Sequence, residues 1–447
     1  MPSAILIQVG FLVLVCCMCL VYWVSARATR ARRSQLQQVR ERCVATPDNA
    51  TIFVLLVTRG QAQVDAAARA IHSVFDRATC PFRIVVGVHE TYDTPSSLSV
   101  LERYAQLAPS GTFGRSFADH VTVLRTPPHR ARGVHAARAE LMARAYTDQA
   151  FVLIISDAVE LENDWDTRAI AALAACRDPH AMLVAPPAAT HHALFSETRK
   201  NPQDQHKHKS NGNGNSPRKR QHPRFPVLER FSKAGVPVPG SRVFGRPGPE
   251  DSVTTAPTPV LFWMGDCVFS PARAYIEHGI GVDSGVPPHP TPFDETLVHL
   301  TTGEDGIMSA RLWTSGWMFY TPQFVLASYQ AGHGGSGGSV NKTLQEHKTA
   351  ALADPIQRKK AEATHEAVRL VMGGKLGPGE NPVLLFARGL GTLRTLKQWE
   401  AFCGLDISRR FIAGRARMGA TPTPDAHEVR AKYDSFQSYD AEKSLYK

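Results

Sequence analysis

TIFVLLVT, Thr51 to Thr58, is apolar and largely β-branched, and it is stopped by Arg59-Gly60. A short apolar run with no alternation reads as a strand buried on both faces. Val64 to Ala78 follows with Val64, Ala68, Ile71 and Phe75 at helical spacing. FRIVVGVHE (Phe82 to Glu90) reads as a second strand and VTVLRT (Val121 to Thr126) as a third. Ala136 to Tyr146 reads as a helix, and AFVLIISD (Ala150 to Asp157) as a fourth, strongly apolar strand. This alternation predicts an α/β fold with a mostly parallel central sheet covered on both faces. Ligands of such sheets bind at the carboxyl ends of the strands.

The chain has 447 residues, 43% of them hydrophobic, so it can bury a large core. Its net charge of +11 is carried by two segments: six arginines against Glu41 within 25–44, and eight lysines and arginines against Asp204 within 199–224. The remainder is near neutral, which argues against a nucleic-acid partner. Ala4 to Val24 is a 21-residue apolar run in which Gln8 is the only strongly polar residue. It reads as one N-terminal transmembrane helix. The expected organisation is therefore an anchor (1–24), a basic stem (25–50) and a catalytic domain (51–330) interrupted by a disordered basic insertion at 197–224. A flexible link and C-terminal helical extension fill 331–447, with AGHGGSGGS at 331–339 as the link and Pro355 to Gly373 as helix. MFYTPQFVLAS reads as a closing strand pair. The arginines after the apolar run place the body in the cytoplasm, whereas the sequons Asn49-Ala50-Thr51 and Asn341-Lys342-Thr343 place it in a lumen. Cys43, Cys80, Cys176, Cys267 and Cys403 form no CxxC pair. They fit either two disulfides with one free thiol or five buried thiols.

Three segments carry candidate chemistry. Asp157 and Glu160 follow the fourth strand, where a carboxylate pays desolvation unless it meets a cation or donors; a solvated loop is the plain alternative. Glu304 and Asp305 open a helix and are either dipole-favoured caps or acceptors of a substrate hydroxyl, with Arg311 in reach of acids or phosphate. Gly133-Val134-His135-Ala136-Ala137-Arg138 is a glycine turn into a helix start, a common junction that also suits anions.

Together these motifs resemble the hydroxyproline/threonine-directed N-acetylglucosaminyltransferase family, from about Thr51 to Tyr329. The resemblance is carried by Thr58-Arg59, the Gly133 to Arg138 turn, Phe151 to Ser156 with Trp165-Asp166, and the turn Phe262-Trp263-Met264-Gly265-Asp266. It is most specific over Gly303-Glu304-Asp305 and Ala310 to Pro322. It implies a GT-A fold and retaining transfer of N-acetylglucosamine from UDP-GlcNAc to a Thr/Ser or hydroxyproline hydroxyl of a protein or peptide acceptor, in the Golgi membrane. Asp157 and Glu160 then hold a divalent cation (Mn or Mg), and Thr58, Arg59, Arg138, Asp157, Trp263 and Trp313 line the donor site. Glu304, Asp305 and Arg311 form the catalytic set. The family's Asp-Ser-His falls on Ser156-Asp157-Ala158, so the metal motif is degenerate. The alternative is an inactive relative that binds sugar, peptide or a partner enzyme.

Overall fold

The computed structural model describes residues 18, 20, 23, 37, 43, 50–60, 63–107, 113–188, 223–232, 235–243, 256–276, 293, 297, 300, 303–330, 355–373, 389–391 and 393–419. Strands β1 (Ile52–Arg59), β2 (Ile84–Thr91), β3 (Val121–Thr126) and β4 (Phe151–Ser156) lie where the apolar runs predict. They alternate with α1 (Val64–Asp76), α2 (Val100–Leu107) and α3 (Val134–Arg144). β3, β2, β1 and β4 pair in parallel in that order. Then follow, as far as Tyr329, β5 (Val159–Leu161), α4 (Trp165–Ala175), β6 (Ala181–Val184), a hairpin of β7 (Arg224–Phe231) and β8 (Pro237–Val243), β9 (Thr258–Val260), β10 (Cys267–Pro271), α5 (Arg273–Ile276), α6 (Glu304–Thr314), β11 (Met318–Thr321) and β12 (Ala327–Tyr329). β10 enters antiparallel between β4 and β6, giving an eight-stranded sheet of order β3-β2-β1-β4-β10-β6-β11-β9. Because β10 runs against β4, it begins where β4 ends: Cys267 pairs with Ile155, and the Asp266 carbonyl accepts the Ser156 N–H at 3.0 Å.

Two expectations are corrected. The closing strands are not a pair: β11 joins β6 and β9 in the main sheet, while β12 pairs with β5 in a separate ribbon. The single-pass Golgi anchor is the second. A bilayer span needs about 20 apolar helical residues, and among the described residues no helix is long and apolar enough to cross a membrane. The longest described helix, α7 (Pro355–Val371, 17 residues), carries Arg358, Lys359, Lys360 and Glu362. Of the 4–24 run only Met18, Leu20 and Trp23 are described. Both sequon asparagines, the link at 331–339 and most of the 197–224 insertion also lie outside the described residues, although Arg224 opens β7.

The core extends past Tyr329. In α8 (Leu396–Cys403), Trp399, Phe402 and Cys403 are buried with the sheet residues, and Phe402 stacks on Trp313 with centroids 5.2 Å apart. Arg394, only 1% exposed, donates to the carbonyls of Trp313 (3.1 Å), Gly316 (3.3 Å) and Trp317 (3.4 Å), so it satisfies backbone acceptors at the end of α6.

Trp165-Asp166 fixes α4 rather than a ligand. The fully buried Asp166 carboxylate accepts the N–H groups of Thr79 (2.8 Å) and Cys80 (2.9 Å) and pairs with Arg83 at 2.8 Å, while the Trp165 indole donates to the Val74 carbonyl. Removing one partner of a buried pair leaves the other charge uncompensated. Asp166→Ala is therefore expected to lower unfolding stability by about 3–5 kcal/mol in chemical denaturation; a loss below about 1 kcal/mol would refute this anchoring role.

Candidate active site

α3 starts at Gly133, whose φ of +99° is left-handed and suits glycine. One turn on, Arg138 points toward the carboxyl edge of the sheet. Its guanidinium donates through Nη1 to Glu304 Oε1 at 2.6 Å and through Nη2 to the Gly265 carbonyl at 2.9 Å. It lies 5.7 Å from the Trp263 ring and 5.9 Å from that of Phe293. His135, on the same helical face, brings Nδ1 to 3.8 Å from Glu304 Oε1. α6 starts at Gly303, also left-handed at φ +96°, and sets Glu304 and Asp305 in its first turn, where the helix dipole favours anions.

The turn before β10 completes the arrangement. The Gly265 N–H donates to Asp305 Oδ1 at 2.9 Å, and the Tyr329 hydroxyl donates to Asp266 Oδ2 at 2.9 Å. A Cβ on residue 265 would come within 2.7 Å of both Arg138 Nη1 and the Trp263 ring, so the close approach needs glycine. Ser309 ties the turn to α6: its Oγ accepts the Trp263 N–H and donates to the Asp305 carbonyl. Three carboxylates thus surround one arginine. Burial first, then the charges of Glu304 and Asp266, push Asp305 up to about 7. Burial also raises Asp266, against the pull of Tyr329 and Arg138. A carboxyl group poised near neutrality can hold or release a proton under working conditions.

Of the residues singled out in the sequence, Arg138, Glu304, Asp305 and Trp263 meet here. Arg311 is buried on the Glu304 face of α6, two turns on. Trp313 lies in the core between Phe402 and Arg394, whose guanidinium is 4.6 Å from its ring. Thr58 is fully buried at the end of β1, its hydroxyl without a hydrogen-bond partner among the described residues. The Arg59 side chain lies outside the described residues. Asp157 begins the β4–β5 turn, its carbonyl accepting Gln330 Nε2 at 3.2 Å. Glu160 is held by Arg77 at 2.9 Å, and Arg77 also grips the Leu161 carbonyl.

A hard divalent cation that travels with a diphosphate is bound through one or two protein carboxylates, its shell completed by phosphate and water. Of the two carboxylates expected to hold it, Glu160 is engaged by Arg77. Among the described residues no group of three or more His, Cys, Asp or Glu could hold a metal ion. The described residues do not fit a resident metal.

Sequence reasoning passed over Asp266 and His135. Asp266 could have been found as an acid between a turn glycine and a buried strand; His135 offered no signal beyond its place one turn before Arg138.

The chain resembles several solved structures at low identity. GalNAc-T7 with UDP, GalNAc and Mn2+ superposes with a TM-score of 0.42 at 12% identity, covering 82% of this chain and 59% of that one. The mannosyltransferase PcManGT from Pyrobaculum calidifontis, in complex with GDP-Man and Mn2+, gives 0.34 at 13%, covering 79% and 86%. S. aureus TarS 1-349 gives 0.34 at 10%, covering 72% of each chain. The chain thus spans 59% of the length of the GalNAc-T7 structure. No curated protein matches it in sequence. The family model named Glycosyltransferase (GlcNAc), by contrast, matches residues 113–208 and 282–409, which include Arg138, Asp157, Glu304, Asp305 and Arg311. That match covers just over half of the chain, and the protein belongs to this glycosyltransferase family.

Proposed function

We propose that the chain is a retaining transferase that moves N-acetylglucosamine from UDP-GlcNAc to a Thr/Ser or hydroxyproline hydroxyl of a protein. The observation that carries the reading is the convergence of Arg138, Glu304, Asp305 and Asp266 at the carboxyl edge of the sheet. Edges of this kind receive nucleotide ligands in open α/β sheets. In this reading Glu304, held by Arg138, and Asp305, partly open to solvent, accept hydrogen bonds from sugar or acceptor hydroxyls. Asp305 takes up or releases the proton that hydroxyl transfer requires. Arg311 steadies the acids from the same helix face. Thr58 and Arg59, at the end of β1, and Trp263 border the donor.

Retaining transfer places most of its demand on the departing diphosphate, so charge stabilisation there is the largest catalytic contribution. A divalent cation held by Asp157 and the donor phosphates would supply part of it by neutralising the diphosphate. The expected result is hydrolysis of UDP-GlcNAc, in preference to other UDP-sugars, with transfer to a Thr-rich peptide. Asp157→Ala lowers turnover about 100-fold or more and weakens the response to Mn. A full UDP-sugar panel on the complete chain, with and without Mn, makes the measurement.

A second reading, a non-catalytic sugar- or peptide-binding relative, draws on the commitment of Glu160 to Arg77. Folded protein that turns over no donor in the presence of the peptide would establish it and end the first.

A further inference from the structure

Cys43 lies on helical backbone ahead of β1, and Cys80 is buried in the α1–β2 connection. The Cys43 thiol is 3.9 Å from the Thr79 carbonyl, to which it donates, and the thiol of Cys80, the next residue, is its neighbour. Neither is in a disulfide in this structure. The Cys80 side of the pair is immobile because the Asp166 carboxylate holds the N–H groups of Thr79 and Cys80 together with Arg83. The other described cysteines are committed elsewhere: Cys176 Sγ donates to the Ala172 carbonyl, Cys403 Sγ donates to the Leu261 carbonyl, and Cys267 is buried in β10.

We propose that Cys43 and Cys80 form an intramolecular disulfide that fastens the segment preceding β1 to the α1–β2 connection. The oxidant is a small-molecule disulfide, RSSR, such as oxidised glutathione. One cysteine thiolate attacks RSSR, forming a mixed disulfide and releasing one RSH. The second cysteine sulfur then displaces the remaining RS group. Two S–H bonds are lost and one S–S bond forms, and RSSR takes up the two electrons and two protons as two RSH. Burial and the neighbouring Cys80 push the Cys43 thiol up to about 12, so the thiolate is scarce and exchange is slow. The pair is therefore a structural bridge formed over roughly minutes to hours, and it is not a fast sensor. By closing the chain between residues 43 and 80 it restricts the unfolded state and stabilises the folded one.

Trypsin separates the two sulfurs onto peptides 43–59 and 78–83, each containing a single cysteine. The full chain is equilibrated in a glutathione redox buffer, quenched with acid, alkylated and digested without reduction. The expected product is the 43–59/78–83 pair lighter by two hydrogens. The melting temperature falls by about 5 °C or more on reduction, and Cys43→Ser reproduces the reduced value in either buffer. Recovery of the two peptides separately alkylated from oxidised, folded protein would overturn the bridge. So would linkage of either cysteine to a third, or a melting temperature that reduction leaves unchanged.

Discussion

Replacing Arg138 with alanine is expected to abolish measurable transfer and to destabilise the protein by about 3–5 kcal/mol. Both effects have one cause. The guanidinium sits among Glu304, Asp305 and Asp266, and it also holds the Gly265 carbonyl that shapes the turn beside them. Without it, Glu304 loses its 2.6 Å ion pair, and the turn loses its grip on α3. Arg138→Lys separates charge from geometry: an ammonium lacks the planar fork that reaches two acceptors at fixed spacing. The lysine variant should recover most of the stability while transfer stays at least about 100-fold down. The instability of Arg138→Ala should also shrink as the pH falls, because protonated carboxyls no longer need a counter-charge. Denaturation curves at pH 5 and pH 8 would check this; a deficit equal at both would show that lost packing, rather than uncompensated charge, is the cause.

The readable part of the fold was its apolar skeleton. TIFVLLVT and AFVLIISD are too hydrophobic to lie anywhere but between two layers, and they became β1 and β4. Strand direction is not written in such runs, so the antiparallel entry of β10 between β4 and β6 could not be read. That entry is what brings Gly265-Asp266 beside the end of β4, which explains why Asp266 was missed while the equally acidic Asp157 was noticed. Glu160 shows the same blindness from the other side. Its position after a buried strand is what a ligand would have, but its partner Arg77 lies at the end of α1, and no local pattern signals a contact over 83 residues. Trp313 and Trp263 look alike in sequence, since a large aromatic serves a core or a sugar equally well. Both are buried in the core: the docking of α8 on α6 packs Trp313 against Phe402, and the turn before β10 sets Trp263 beside Arg138. Glu304, Asp305 and Arg138 were legible because glycine turns mark both helix starts.

Asp305→Asn is expected to make the protein more stable at pH 8 than the parent, and no more stable at pH 4. Packing and the charges of Glu304 and Asp266 move Asp305 from 3.8 to about 7. Between those limits the folded chain keeps a proton that the unfolded chain has released, so stability falls as the pH rises through the window and is flat above it. Asp266 is raised too and adds to the same slope. The Asp305 contribution is bounded by about 4 kcal/mol and is reduced by the solvent that reaches the side chain. Asparagine keeps an oxygen for the Gly265 N–H while removing the charge, so the slope should flatten without loss of the turn. Transfer should move the other way. If ionised Asp305 accepts the proton of the attacking hydroxyl, kcat/KM of the parent rises with an apparent pKa near that of Asp305, and the asparagine variant loses both that limb and most of its rate. Parallel stability curves for parent and variant would place the proton on another group. A flattened stability curve with an unaltered rate profile would leave Asp305 a buried acid with no part in transfer. The combination expected here, a gain in stability bought by a loss of rate, is what a carboxylate held for chemistry against its own solvation should produce.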